Sequence, residues 1–89
     1  PASSIAIYPN PANDKVTVTT MLSEESVLSF ELIDVTGRCV MTTREYVSVS
    51  GNHQTLLNVS NLADGLYMLS IQIESKGKSE KFSLKLIIR

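Results

Sequence analysis

The chain has 89 residues, of which 43% are hydrophobic and 19% charged, and its formal net charge is −1. This length suits one domain with a single core and excludes a large internal active site. The near-neutral charge, together with the lack of aromatic residues interleaved with Lys and Arg, excludes a typical nucleic-acid-binding surface.

Apolar residues recur at every second position along most of the chain, which is typical of β-strands with one buried face. The predicted strands, in chain order, are Ile5–Tyr8, Lys15–Thr20, Leu28–Asp34, Arg38–Val47, Gln54–Val59, Tyr67–Glu74 and Lys81–Arg89. Short strands spaced about eight to twelve residues apart predict an all-β fold, an immunoglobulin-like antiparallel β-sandwich of about seven strands. The single Cys and the absence of Trp mean that the disulfide and Trp of antibody domains are missing.

Two of the connections carry specific turn chemistry. Pro9 and Pro11 each lack a backbone N–H donor, so the first strand is expected to end there. In the sequence DVTGR, the Asp34 side chain can accept hydrogen bonds from backbone amides that follow it, and Gly37 tolerates the positive φ of a bulged turn. This segment is therefore predicted to form a tight hairpin.

A third connection precedes the sixth predicted strand. Gly65 and Tyr67 place a tyrosine at the start of a strand, directly after a corner of the chain. Its ring can be buried there while its hydroxyl bonds to upstream backbone, which is the arrangement called a tyrosine corner.

In the last nine residues, KFSLKLIIR, every even position is apolar, and odd positions carry three of the eight basic residues of the chain. Phe82, Leu84, Leu86 and Ile88 are expected to face the core, whereas Lys81, Ser83, Lys85, Ile87 and Arg89 are expected on the surface. An exposed Ile87 between two cations needs a partner or a cover. From the residues alone, this surface is either read by another protein or carries cations that protect a sheet edge from aggregation, with Ile87 covered by a loop.

Residues with catalytic or metal-binding potential are few. Cys39 and His53 are the sole Cys and His and lie fourteen residues apart, in or next to different predicted strands, so we predict no catalytic centre, no metal site and no cofactor. Cys39 is expected to be a small buried hydrophobe, and His53 a partly exposed residue of a strand or loop. Glu24 and Glu25 are expected on a solvated turn. We accordingly expect no enzyme activity and no small-molecule substrate.

Four segments together resemble the C-terminal sorting domains of the type IX secretion system of Bacteroidetes. They are YPNPANDKVTV at residues 8–18, DVTGR at 34–38, LADGLYMLSI at 62–71 and KLIIR at 85–89. Each segment alone is common, whereas their order and spacing are specific. The resemblance implies that residues 1–89 form one sorting domain, excised from a larger secreted protein, which directs its cargo from the periplasm across the outer membrane to the cell surface.

The recurrent motifs of that family fall on identifiable residues of this chain. They are the proline-containing first turn at Pro9, Asn10 and Pro11, the G-x-Y corner at Gly65 and Tyr67, and the Lys-containing final strand at Lys85, Leu86, Ile87, Ile88 and Arg89. The resemblance implies that the final strand matters most for recognition by translocon and shuttle proteins. It also implies that a surface sortase-like cysteine peptidase removes the domain by cutting before the first strand, upstream of the chain or within Pro1 to Ser4.

Two alternatives are kept open. In the first, the chain is an accessory adhesion or carbohydrate-binding β-sandwich of a secreted enzyme. Tyr46, the one aromatic residue not assigned to the core, would then serve as a platform for a sugar. A homodimer through a free edge strand is a further alternative, because sandwiches expose edges and the prolines protect only one of them.

Overall fold

A computed structural model of the chain describes residues 2–89, with side chains from Ser4 onward. The regular elements in this range are seven strands: β1 (Ala2–Tyr8), β2 (Lys15–Leu22), β3 (Ser26–Ile33), β4 (Cys39–Val47), β5 (Gly51–Asn58), β6 (Gly65–Ser75) and β7 (Lys78–Ile88). Residues 2–89 include no helix with the length and apolar character needed to span a membrane.

The strands form a three-stranded sheet, in the order β1-β2-β5, and a four-stranded sheet, in the order β4-β3-β6-β7. All neighbours within the two sheets are antiparallel. The predicted immunoglobulin-like sandwich of seven strands is therefore confirmed. β1 begins at Ala2 rather than Ile5, and β5 begins at Gly51 rather than Gln54. The added residues are small or polar, so no apolar alternation in the sequence indicates that they pair.

The core lies between the sheets and consists of alternate residues of facing strands. Its buried members are Val16, Val18 and Leu22 of β2, Leu28, Phe30 and Leu32 of β3, Val47 of β4, Leu57 of β5, Tyr67, Leu69, Ile71 and Ile73 of β6, Leu86 and Ile88 of β7, and Ala12 and Val59 from connections. Full burial of such an aliphatic or aromatic side chain contributes about 1.5–3 kcal/mol, so the alternation of each strand fixes which face is inward.

The turn between β3 and β4 closes as its sequence predicts. Gly37 has a φ of +87°, and its N–H donates to the Asp34 carbonyl at 3.0 Å. The Asp34 Oδ1 atom accepts hydrogen bonds from the amides of Thr36 and Arg38 at 2.9 and 3.1 Å. The carboxylate therefore satisfies the backbone donors that the turn leaves without strand partners.

Cys39 is exposed, so the expectation that it is a small buried hydrophobe is wrong. The reason is a β-bulge in the pairing of β3 with β4: Leu32 pairs with Met41, whereas Ile33 pairs with Cys39, and Val40 is the extra residue. A bulge moves the residues beyond it to the opposite face of the strand. Cys39 consequently shares the outer face with Ile33 instead of the inner face with Met41.

Candidate recognition surface

The corner before β6 positions the start of that strand against the end of β7. Gly65 has a φ of +156°, a conformation that favours glycine. Tyr67 is only 7% exposed, and its hydroxyl donates to the Ala63 carbonyl at 2.6 Å, which is the tyrosine-corner arrangement expected from the sequence. In the β6–β7 register, Tyr67 lies opposite Leu86. The corner thus holds the terminal part of β7 in register.

The terminal part of β7 alternates between core and surface. Leu86 and Ile88 are buried, Lys85 and Arg89 are exposed, and Ile87 is 37% exposed. Of the five residues proposed for recognition, Lys85, Ile87 and Arg89 are therefore available for contact. The two buried residues can act only by anchoring the strand.

Residues that follow β1 hold the outer backbone edge of β7. Asn10 uses both ends of its side-chain amide: Nδ2 donates to the Lys85 carbonyl at 2.9 Å, and Oδ1 accepts from the Ile87 N–H at 3.0 Å. The Ala12 N–H donates to the Ile87 carbonyl at 2.7 Å, and the Arg89 N–H donates to the Ala12 carbonyl at 2.9 Å. These four hydrogen bonds between residues 10–12 and 85–89 are called the terminal clamp below.

Local sequence explains why residues 10–12 can form this clamp. Pro9 and Pro11 have no N–H to donate, so the chain cannot continue the ladder of β1 with β2 through them. Asn10, between them, supplies a donor and an acceptor from its side chain instead. Ala12 is buried, and its small side chain lets this segment approach β7 closely enough for a parallel bridge with Ile88.

Apolar side chains from other strands surround the exposed end of β7. On the outer face, Leu66 lies opposite Ile87, Met68 lies opposite Lys85, and Ile33 lies on the far side of Met68. Leu66 is 45% exposed and Met68 38% exposed. A groove of about 180 Å³ is lined by the apolar side chains of Ile33, Leu66, Met68 and, in the β3–β4 turn, Val35. Its other walls are Asp34, Tyr67 and Lys85. This is called the terminal groove below.

The middle of the same outer face is polar. One row above Met68 and Lys85, Glu31 faces Ser70, which in turn faces Ser83. In the row above that, Gln72 of β6 lies opposite Lys81. Exposed apolar area on this face is thus divided between the groove where β7 terminates and, at the opposite end, Tyr46, which lies opposite Val27 and is 64% exposed.

The charges around the terminal groove are mainly cationic. Hydrogen bonds from the Thr36 hydroxyl and the Arg38 amide hold the pKa of Asp34 below its ordinary value of 3.8. Its other carboxylate oxygen lies 3.8 Å from Arg38 Nε, so this acid is already paired. Within residues 4–89, neither Lys85 nor Arg89 lies within ion-pair distance of a carboxylate side chain.

The other residues singled out from the sequence lie away from this surface. His53 is half-buried on β5, as expected, with Nε2 3.2 Å from Glu45 Oε1. Tyr46 is exposed on β4 and donates its hydroxyl to Glu25 at 2.7 Å. The hydrogen bond to Glu25, and then its charge, raise the pKa of Tyr46 above the ordinary value of 10.0. Cys39 is on the other sheet from His53, and no metal-binding group of His, Cys, Asp or Glu side chains occurs in the part of the chain that the structure describes.

The sequence matches the secretion system C-terminal sorting domain family over residues 6–88. The chain belongs to this family. The resemblance to type IX sorting domains is therefore confirmed, and the function of this sorting domain is to act as a C-terminal signal for type IX secretion. The family is one of sorting signals rather than enzymes, its members are directed to the cell surface or the exterior, and the partners it implies are components of the secretion machinery.

Solved structures contain domains with the same fold as this sorting domain. Dimeric latent PorU from Porphyromonas gingivalis aligns with a TM-score of 0.79 and 17% identity, over 94% of this chain and 9% of that one. A β-glucuronidase from Parabacteroides merdae aligns with a TM-score of 0.67 and 12% identity, over 100% of this chain and 14% of that one. The same glucuronidase with glycerol in its active site gives a TM-score of 0.66 and 12% identity, with 99% and 13% covered. The sorting domain thus spans a small fraction of each, and these likenesses concern the fold alone. No curated protein matched the sequence.

Proposed function

We propose that translocon and shuttle proteins of the type IX system recognise the sorting domain through Lys85, Ile87 and Arg89, and that the domain itself performs no catalysis. The observation that carries this proposal is the fixed presentation of these side chains. The buried Leu86 and Ile88 anchor the inner face of the strand, and the terminal clamp holds its outer backbone edge. The backbone that carries the two cations and the apolar side chain between them is therefore fixed before any partner binds, which lowers the entropic cost of recognition.

The same clamp weakens the explanation that these cations only protect an edge. Lysines on an edge strand prevent another strand from pairing with its free N–H and C=O groups. Next to Lys85 and Arg89 those groups already bond to residues 10–12. Lys78 and Lys81 lie on the part of β7 beyond the clamp. Protection of an edge therefore explains these two lysines better than it explains Lys85 and Arg89.

An export experiment with charge-reversed variants tests the proposal. The domain is fused to a periplasmic reporter in a bacterium that has this secretion system, and the reporter is measured on the surface and in the medium. We expect Lys85→Glu/Arg89→Glu to reduce export about tenfold or more, because two charge contacts at an interface become repulsive. Lys78→Glu/Lys81→Glu changes the net charge equally at the other end of the same strand and should export normally. Equal export by both variants, with unchanged melting temperatures, would contradict the proposal.

Removal of the domain by a surface sortase-like cysteine peptidase is the second part of the proposal. Pro1 lies outside the described residues, whereas Ala2 and Ser4 pair with Leu22 and Met21 of β2. A cut upstream of Ala2 leaves every strand of the sandwich intact, which supports a site there rather than at Ser4. Mass spectrometry of the released domain should give a fragment that begins at or before Ala2. A fragment that begins within β1 would contradict this placement.

Three further expectations stay predictions. They are passage through the periplasm, the extent of the sorting domain as residues 1–89 of a larger secreted protein, and pairing of two copies through an edge strand. Cell fractionation of the fused reporter tests passage through the periplasm, and the sequence of the gene on either side tests the extent of the domain. Sedimentation of the purified domain at several concentrations tests the pairing of two copies.

A further inference from the structure

We infer that the secretion machinery reads a composite surface, in which the terminal groove receives an apolar side chain of the partner and Lys85 pairs with a carboxylate beside it. This inference rests on the proposed function and extends it to residues outside the last strand. The walls of the groove come from the end of β3 and its turn, from the start of β6, and from β7. Segments so distant in sequence meet only in the folded domain, so the signal is a three-dimensional surface and not a terminal peptide.

The terminal clamp determines how a partner can bind here. A peptide added as an extra strand must bond to the outward N–H and C=O groups of the edge. The Lys85 C=O, the N–H and C=O of Ile87 and the Arg89 N–H already bond to Asn10 and Ala12. A partner must therefore contact side chains, and the side chains next to Ile87 are those of the terminal groove, beginning with Leu66.

The size of the groove suits one inserted side chain. Its volume is about 180 Å³. For comparison, an engineered apolar cavity of about 150 Å³ binds benzene. Three apolar walls that are each partly exposed in the free domain, Leu66, Met68 and Val35, would be covered by one such insertion. Burial of an apolar anchor in a central pocket is the usual source of binding energy at protein interfaces.

Charge complementarity indicates an acidic partner. Lys85 borders the groove, and Asp34, the acid in its wall, is already bonded to its own turn and to Arg38. The free charge at this end of the face is therefore that of Lys85 and Arg89. Glu31 lies one row away, on the polar part of the face, and would disfavour a carboxylate placed further up. The partner that fits is an exposed apolar side chain with a carboxylate beside it.

Matched serine variants test the groove in the same export assay. Leu66→Ser/Met68→Ser removes two exposed walls and should reduce reporter export about tenfold or more. Leu56→Ser/Met21→Ser is the control, because Leu56 is 62% and Met21 40% exposed and both lie on the three-stranded sheet. The control should export at the level of the unmodified domain. Equal export by the two double variants would overturn the inference.

Further variants keep the test decisive if the double variant is unstable. Val35→Ser changes a turn residue that is exposed, so the fold should be kept while export falls by a smaller factor. Val49→Ser, at a valine of similar exposure, serves as its control. A reporter that carries residues 81–89 alone should stay in the periplasm. Its export would overturn the composite surface and leave recognition of the last strand intact.

Two results separate this inference from the proposed function. Loss of export with Lys85→Glu/Arg89→Glu, but not with the groove variants, would leave the proposed function standing and refute the groove. Full export with the charge-reversed variant would refute the proposed role of the terminal cations. If the purified domain is a dimer that Leu66→Ser/Met68→Ser converts to a monomer, a second copy covers the groove and the inference is wrong.

Discussion

Asn10 holds the last strand through two hydrogen bonds that a single substitution removes. Asn10→Ala deletes the donor to the Lys85 carbonyl and the acceptor for the Ile87 N–H, at 2.9 and 3.0 Å. It leaves in place the two backbone hydrogen bonds of Ala12, so the clamp is weakened and not abolished.

The expected cost follows from the surroundings of these bonds. A hydrogen bond within a protein contributes about 0.5–1.5 kcal/mol net, which gives about 1–3 kcal/mol for two. Asn10 is exposed, and water can replace its side chain at both backbone groups, so the lower end of about 1–1.5 kcal/mol applies. Asn10→Asp keeps the acceptor but turns a carboxylate oxygen toward the Lys85 carbonyl, so it should be at least as damaging at neutral pH.

Amide hydrogen exchange followed by NMR measures this effect residue by residue. The Ile87 amide loses its acceptor and should exchange about tenfold faster, since about 1.4 kcal/mol corresponds to a factor of ten. The Arg89 amide keeps the Ala12 carbonyl and should change less. Asn13→Ala, at an exposed turn residue close by, is the control and should leave both amides unchanged. Unaltered exchange at Ile87 in Asn10→Ala would refute the role given to this side chain.

Substitutions at three further positions test the corner and the turn. Tyr67→Phe removes only the hydrogen bond to Ala63 and should lower the free energy of unfolding by about 1 kcal/mol. Tyr67→Ala also removes a core ring and should lower it by about 3–5 kcal/mol. Equal losses in urea unfolding would contradict the tyrosine corner. Gly65→Val should lower the melting temperature by forcing a β-branched residue to a φ of +156°, whereas Asn52→Ser should be nearly silent, and similar losses for the two would contradict this reading. The lowered pKa of Asp34 means that its stabilisation is complete above its ordinary value of 3.8 and is lost as the pH falls through the lower folded value. Asp34→Asn should therefore be less stable than the unmodified domain at about pH 7, and the difference should shrink as the pH falls below 3.8; a difference that stayed constant in acid would have another cause.

Local patterns in the sequence were sufficient for the strands and most of the core. Apolar residues occupy every second position of β6 from Tyr67 to Ile73 and of β7 from Phe82 to Ile88, so the sequence alone assigns Tyr67, Leu86 and Ile88 to the core, where the structure has them. The same pattern failed at Cys39, because a bulge inserts one residue into the strand and the sequence carries no mark of it. The direction of a side chain near a bulge depends on pairing with another strand, which alternation within one strand cannot reveal.

The clamp and the groove could not be derived from local patterns, because both join distant parts of the chain. The sequence places Asn10 in a proline-containing turn, but its bond to Lys85 spans 75 positions of sequence. Ala12, in a segment that reads as a polar turn, is buried in the core. Leu66 and Met68 occupy the outward positions of β6, where single apolar residues are common and carry no signal of their own. Only the register of β6 against β7 brings them beside Ile87.

The parallel bridge between Ala12 and Ile88 has a mechanical consequence. Tension applied between the N-terminal side of residue 10 and the end of β7 pulls two parallel neighbours in opposite directions along their common axis. The hydrogen bonds between them then carry the load together as shear, whereas an antiparallel pair pulled from one end opens one bond at a time. Traction on a cargo attached before Ala2 would load the pairing of β1 with β2 first, and the short contact would resist in shear once β1 had been pulled free.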